Sequence, residues 1–278
     1  MGKMGQEKPV KIYTWADKEP SFIYKQYETI KKFITDKNYE FIVFNNTPFF
    51  AQKRAREIKR ICKELGIKCL DVRFRTFISG PSYITGWGIH WAYHRFFRWQ
   101  KDTIQVILDS DMFFIKDFNF NEYLGENKIA SIRIVSNRNS EVQYLWNGFV
   151  ILKGAELPDK NHFDYRLGKV LNTRTDTGGR TYWWLKRNPN IKLKWIKSTK
   201  HLDDNSIAIL PKAVQDIYKN DYTFQFIEDV ILHYRAGSNW QKKPADFVNS
   251  KKICFEKLMD EILYNNQTIS IKPEFYFE

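Results

Sequence analysis

Short apolar runs alternate, over the first half of the chain, with longer stretches in which apolar residues recur every three or four positions. "PVKIYTWAD" reads as a strand ending in a polar turn at Thr14 to Asp17. "PSFIYKQYETIKKFITDK" places Phe22, Ile23, Tyr27, Ile30, Phe33 and Ile34 on one helical face, with Pro20 and Ser21 in helix-start positions. "YEFIVFNNT" predicts a second strand, "FAQKRAREIKRICKELGI" a basic helix stopped by Gly66, and "KCLDVRF" a third strand. From Trp87 an aromatic-rich amphipathic helix leads into the apolar run "TIQVIL". This strand–helix alternation predicts an α/β fold built on a parallel sheet, whose ligands bind beyond the carboxyl ends of the strands.

The second half is less regular. "KIASIRIV" and "LWNGFVILK" predict strands, "LPDKNHFDYRLGKVLN" a loop and a short helix, and "DTGGRTYWWLKRNP" a tight glycine turn followed by a helix. "EDVILHYRAGSNW" reads as a strand running into a Gly-Ser-Asn loop, and "FVNSKKICFEKLMDEILYN" as a closing helix. No internal repeat or linker interrupts the 278 residues, so one domain with two unequal lobes is expected.

The apolar fraction of 43% supplies ample material for a core and argues against wholesale disorder. The formal net charge of +13 favours an anionic partner, without choosing among nucleotides, lipids, nucleic acids and acidic glycans. Cys62, Cys69 and Cys254 are odd in number and lack zinc-ligand spacing, which predicts free thiols and a reducing, cytoplasmic setting. No stretch is apolar for long enough to span a bilayer.

Against this background "VILDSDMFF" stands out. Asp109 and Asp111 follow an apolar strand, and residues i and i+2 of an extended chain point to the same side. Carboxylates so placed suit Mg²⁺ or Mn²⁺, with a surface turn as the alternative. His233 ends another apolar run and precedes the basic segment containing Gly237, Lys242 and Lys243. Imidazole is a suitable further ligand for Mn²⁺, and the basic residues suit phosphate oxygens; a strand-end histidine beside a basic loop is the alternative. Asn147 and Gly148 interrupt a strand, suggesting a bulge or something packed on the backbone. Asp176, ahead of two glycines, suits a base or a sugar hydroxyl partner, and equally a cap. His90 and His94 share a helix face, but Trp91 stands where a helical metalloprotease has glutamate, so packed or surface histidines are expected. Arg95 is placed to emerge near the next strand and meet a phosphate.

In this order the pieces resemble the metal-dependent nucleotide-sugar glycosyltransferases of the GT-A fold, nearest to the glycogenin and galactosyltransferase-like group. "VILDSDMFF" is similar to the family's Asp-x-Asp, "WNGFVIL" to its Asn-[Ser/Gly]-Gly strand, and "HYRAGSNW…KKP" to its C-terminal metal-binding histidine and phosphate loop. The resemblance implies a Rossmann-like, mixed but mainly parallel sheet with helices on both faces. Residues 1–10 read as a basic tail, and the resemblance implies a nucleotide-binding half over 11–118 and a sugar- and acceptor-binding half over 119–278. Asp109, Asp111 and His233 would bind Mn²⁺ or Mg²⁺ bridging a donor diphosphate. Thr14, Trp15, Asp17, Arg95, Ser110, Gly237, Lys242 and Lys243 would face the donor, a UDP-sugar foremost. Asn147 and Asp176 would face the transferred sugar or the acceptor, whether a glycan, a lipid-linked glycan or another hydroxyl.

The loop after His233 departs from the family pattern, with Ala236 in the usual glycine position. Asp176 is the base if the anomeric centre inverts, and no nucleophile stands out for retention. Two other readings compete. A metal-dependent nucleotidyltransferase could use paired aspartates, but "YTWADKEPS" has no glycine-rich phosphate loop. A nucleic-acid-binding protein could use "KRAREIKRICK" and "WAYHRFFRW", yet this leaves the aspartates unexplained. The last reading can join the first if the acceptor is a polyanion such as modified DNA.

Overall fold

The computed structural model describes residues 7–72, 81–199, 212, 215, 224–235, 244–266, 268–269 and 276–277. The chain divides into two units. The first comprises Met1–Pro20, Asp36–Ser110 and Asn119–Ile196, and the second Ser21–Thr35, Asp111–Phe118 and Lys197–Glu278.

The alternating first half builds the centre of a seven-stranded sheet in the first unit. Its strands are β1 (Val10–Ala16), β2 (Tyr39–Asn45), β3 (Lys68–Asp71), β4 (Ile104–Leu108), β6 (Ile129–Ser136), β7 (Asn139–Leu152) and β10 (Leu193–Ile196), in the order β10-β6-β7-β4-β1-β2-β3. β1 runs parallel to β2 and β4, β2 to β3, and β6 to β10; β7 is antiparallel to both β4 and β6. The sheet is thus mixed and mainly parallel, as the alternation predicts. Every residue of β4 is buried, which is why its sequence is an unbroken apolar run rather than an alternating one. Helix α2 (Gln52–Glu64) buries Ala55, Ile58, Ile61 and Cys62, α3 (Pro81–Arg95) contributes Ile89, Ala92 and Tyr93 to the core, and the short α4 (Phe120–Leu124) buries Phe120 and Leu124.

Three local expectations change. β1 continues through Ala16, so Thr14 and Trp15 lie inside the strand, 0% and 4% exposed, rather than in a turn. Helix α3 begins at Pro81, ahead of Trp87. The expected short helix after Leu157 is replaced by one 3-10 turn, Lys160–His162, and a hairpin of β8 (Lys169–Val170) and β9 (Thr173–Arg174). Its turn residues Leu171 and Asn172 have φ of +44° and +63°, a geometry that matches hairpin twist but that leucine rarely signals.

The glycine turn before α5 (Thr181–Arg187) forms as expected. Gly178 has φ +89°, and its N–H donates to the Tyr165 carbonyl at 2.8 Å. A Cβ there would stand 2.0 Å from the Leu145 carbonyl oxygen of β7. The Thr181 hydroxyl ties the same corner, donating to the Gly178 carbonyl at 2.6 Å and accepting from the Leu145 N–H at 2.9 Å.

The second unit carries a five-stranded sheet in the order β14-β11-β12-β13-β5. These strands are β14 (Tyr276–Phe277), β11 (Ser198–Thr199), β12 (Gln225–Ile227), β13 (Ile231–His233) and β5 (Met112–Phe114), and all their pairings are antiparallel. Helices α1 (Phe22–Phe33) and α6 (Ala245–Tyr264) belong to this unit, joined by a Lys25–Asp260 ion pair of 2.9 Å. An aromatic core fixes it: the Phe22 ring lies 5.3 Å from Phe113, 5.2 Å from Tyr234 and 5.4 Å from Phe255. The buried face of α1 includes Gln26 and Thr29, while Tyr27 is only half-buried. Gln26 is tolerated there because its Nε2 donates to the Met112 carbonyl at 3.0 Å.

Gly178→Ala combines a disfavoured φ with a backbone overlap. It should lower the unfolding free energy by on the order of 3 kcal/mol in urea denaturation. A loss below about 1 kcal/mol would contradict the close approach of this turn to β7.

Candidate functional site

β5, β13 and β12 lie side by side, and their register decides what meets. His233 pairs with Met112 on one side and with Gln225 on the other. The Tyr234 N–H donates to the Asp111 carbonyl at 2.8 Å, extending the pairing by one residue. Asp111 and His233 are consequently both buried, at 8% and 6% exposure. His233 Nε2 stands 3.3 Å from Asp111 Oδ1, and Nδ1 stands 3.0 Å from Gln225 Oε1.

The Gln225 amide settles the tautomer. Its Nε2 donates to the Thr199 carbonyl at 3.1 Å, which turns its oxygen toward the ring. An amide oxygen only accepts, so Nδ1 carries the proton and, in neutral imidazole, Nε2 presents its lone pair to Asp111. Two acceptors at that separation repel unless a proton or a metal cation lies between them. Asp109, two residues back along the chain, adds another carboxylate. One ligand atom each from Asp109, Asp111 and His233 falls within 4.8 Å of the other two. Two carboxylates and an imidazole whose other nitrogen donates to a fixed acceptor form a donor set that fits a divalent cation.

Within the first unit, the Asp109 N–H donates to the Gly148 carbonyl at 2.7 Å, and its Oδ1 accepts from the Ser110 N–H at 3.0 Å. Asn147, 7% exposed in β7, therefore adjoins the residue paired with Asp109. The backbone at Gly148 is covered as the sequence suggested: a Cβ there would stand 2.4 Å from the Trp146 ring.

The carboxyl ends of β1 and β2 hold a second set of polar atoms. Thr14 Oγ1, Trp15 Nε1 and Asn46 Oδ1 are buried without a hydrogen-bond partner among the described residues, whereas Asp17 Oδ1 faces Arg54 Nη2 at 3.5 Å. Trp15 Nε1 and Asn46 Oδ1 flank one spot, since a Cβ on Gly88 of α3 would stand 2.9 Å and 3.3 Å from them. Burial raises the Asp17 carboxyl above its ordinary range, against the pull of Arg54 and Lys18. Orphaned donors and acceptors at a strand-end edge are costly unless a polar ligand meets them.

Asp176 is exposed in its turn, where its Oδ1 accepts from the Thr177 N–H at 2.8 Å. Arg95 is exposed at the end of α3 and leads into the amino end of β4, whereas Asp109 follows its carboxyl end. The structure does not bring these two together. Gly237, Lys242 and Lys243 lie outside the described residues.

The rings of His90 and His94 are 4.4 Å apart. His90 Nδ1 lies 3.3 Å from Asp164 Oδ1, and His94 Nε2 lies 3.1 Å from the Phe163 carbonyl. Burial pushes the His90 imidazole down to about 4, with Asp164 opposing more weakly. For Asp164 burial is outweighed by hydrogen bonds from Arg166 and by neighbouring positive charge, and the carboxyl sits at about 2.

Gln225, Lys251 and Asn46 are site residues that the sequence reading missed. Lys251 is 5% exposed, donates to the Arg235 carbonyl at 2.8 Å and lies 4.3 Å from the centre of the Tyr234 ring. Burial brings its ammonium down to about 8, the Asp111 charge opposing and Arg235 assisting.

No protein-family model and no curated protein sequence matches the chain. Among solved structures, it is similar to the mannosyltransferase PcManGT from Pyrobaculum calidifontis in complex with GDP-Man and Mn²⁺, at 14% identity and a TM-score of 0.35, over 54% of this chain and 45% of that one. It therefore spans less than half the length of that protein. It is also similar to the galactosyltransferase LgtC in complex with donor and acceptor sugar analogs, at 12% identity and a TM-score of 0.38, over 66% of this chain and 72% of that one. The apo-form glycosyltransferase GlyE in Streptococcus pneumoniae TIGR4 gives 13% identity and a TM-score of 0.39, over 96% of this chain and 66% of that one.

If Gln225 fixes the His233 tautomer, Gln225→Leu should weaken Mn²⁺ binding by roughly 10- to 100-fold in calorimetric titration while the circular dichroism spectrum is retained. Unchanged Mn²⁺ affinity in a folded variant would remove Gln225 from the site.

Proposed function

We propose that the chain is a divalent-cation-dependent glycosyltransferase that moves a sugar from a nucleoside-diphosphate sugar, a UDP-sugar foremost, to an acceptor hydroxyl. The observation that carries this reading is the gathering of Asp109, Asp111 and His233 around one point after β4. The imidazole favours Mn²⁺ over Mg²⁺, which prefers an all-oxygen shell. When bound, the cation would neutralise charge developing on a departing diphosphate.

The chain's own residues take the other roles. Asp109, Asp111 and His233 hold the cation, and Gln225 orients the imidazole. Thr14, Trp15, Asp17 and Asn46 offer both donors and acceptors to the nucleotide, as the orphaned atoms of Thr14, Trp15 and Asn46 support. Ser110, Gly237, Lys242 and Lys243 are assigned to the diphosphate. Asn147 orients the transferred sugar. Asp176, exposed and free to reach an incoming hydroxyl, serves as base if the reaction inverts. In this assignment residues 11–118 form the nucleotide-binding half and 119–278 the sugar and acceptor half. Among the described residues no helix is long and apolar enough to cross a membrane, and a cytoplasmic setting is part of the proposal.

The test is release of nucleoside diphosphate from a panel of nucleotide sugars, with Mn²⁺ and with EDTA. One donor should turn over only with the cation, and Asp111→Asn should reduce the rate at least about 100-fold. Turnover that survives both EDTA and Asp111→Asn would contradict the metal-dependent mechanism.

A further inference from the structure

The first unit contains a second polar cavity, of about 440 Å³, that none of the roles above uses. Its volume is in the range of small-molecule sites. Arg166, Lys169, Arg180 and Arg187 line it, against one carboxylate, Asp164.

That carboxylate organises the cavity rather than neutralising it. Arg166 grips Asp164 in a fork, Nε at 2.9 Å from Oδ1 and Nη2 at 2.7 Å from Oδ2, and its guanidinium lies 4.5 Å from the centre of the Trp87 ring. Arg180 Nη1 reaches Asp164 Oδ2 at 3.3 Å, and its stem rests on Gly168, where a Cβ would stand 2.9 Å from Arg180 Nε. The backbone locks the two arginines together, since the Arg180 N–H donates to the Arg166 carbonyl at 3.1 Å. Two guanidiniums are thus held in place before any ligand arrives, which reduces the entropy lost on binding. Lys169 and Arg187 are exposed, and no carboxylate pairs with either among the described residues. Trp183 lines the same cavity and is 45% exposed.

Fixed guanidiniums, unpaired cations and an open indole face suit one kind of small ligand. The cations take an anionic group, and the indole takes the flat apolar face of a ring. We propose that this cavity binds a saccharide carrying a phosphate or carboxylate group, with the anion on Arg166, Arg180, Lys169 and Arg187 and the sugar ring against Trp183. This binding does not rest on the transferase reading.

The test is calorimetric titration of the full chain, without metal or nucleotide, with glucose 6-phosphate, glucuronate, glucose and uridine monophosphate. At least one acidic sugar should bind, at least about tenfold more tightly than glucose, and should weaken as salt rises. The double variant Lys169→Glu/Arg187→Glu, which alters exposed side chains, should lose at least about tenfold of that affinity while keeping its Mn²⁺ affinity. Trp183→Ala should weaken the acidic sugar with little change in the salt dependence. Equal binding of glucose and the acidic sugars, or no effect of the double variant, would overturn the proposal. Binding of uridine monophosphate alone, lost in the double variant, would also overturn it and make the cavity a nucleotide site. Acidic-sugar binding in a protein that turns over no nucleotide sugar would uphold this site and sink the transferase reading.

Discussion

Two buried groups 3.3 Å apart set the terms for the second unit: the Asp111 carboxylate and the Nε2 of His233. Neither can be withdrawn. Asp111 opens the segment that pairs with β13, the Tyr234 N–H binds its carbonyl, and His233 is held by Gln225 on the neighbouring strand. Desolvating such a pair is unfavourable unless positive charge lies between them. A cation there, with Asp109 supplying a further oxygen, removes the conflict and explains why an apolar strand ends in two carboxylates. Lys251, buried and within electrostatic reach of Asp111, offsets part of the same negative charge from α6.

The parallel sheet of the first unit performs the complementary task. It buries β4 on both faces, so Asp109 follows a strand with no freedom to slide. Its register also brings the Gly148 carbonyl to the Asp109 N–H, which puts Asn147 next to that contact. The orphaned atoms of Thr14, Trp15 and Asn46 stand at the carboxyl ends of the neighbouring strands. The positive excess of the chain is partly concentrated as well: the cavity around Arg166 and Arg180 holds basic side chains in prepared positions rather than spreading them over a solvated surface.

Much of this was legible because the signals were local. Alternating periodicities identify β1 to β4, and the Asp-x-Asp shows itself by breaking an apolar run. Gly178 shows itself because no other residue suits a φ of +89° against a neighbouring strand. Gln225 was not legible. It faces His233 across a hairpin whose turn residues, Glu228 and Asp229, adopt φ of +50° and +57° without the glycine or asparagine that usually marks such a turn. Lys251 was not legible either, because its burial depends on aromatic rings distant in sequence. Trp15 was assigned to a turn because Thr14 and Asp17 look polar, whereas the strand pairing with β2 extends through Ala16. In each case a tertiary contact decided what local propensity left open.

The central claim is that Asp109, Asp111 and His233 hold one divalent cation. The most direct measurement is anomalous diffraction from crystals soaked in Mn²⁺. A single manganese peak within coordination distance of an Asp109 oxygen, an Asp111 oxygen and His233 Nε2 is the predicted result. Manganese found elsewhere, with none between Asp111 and His233, would contradict the account.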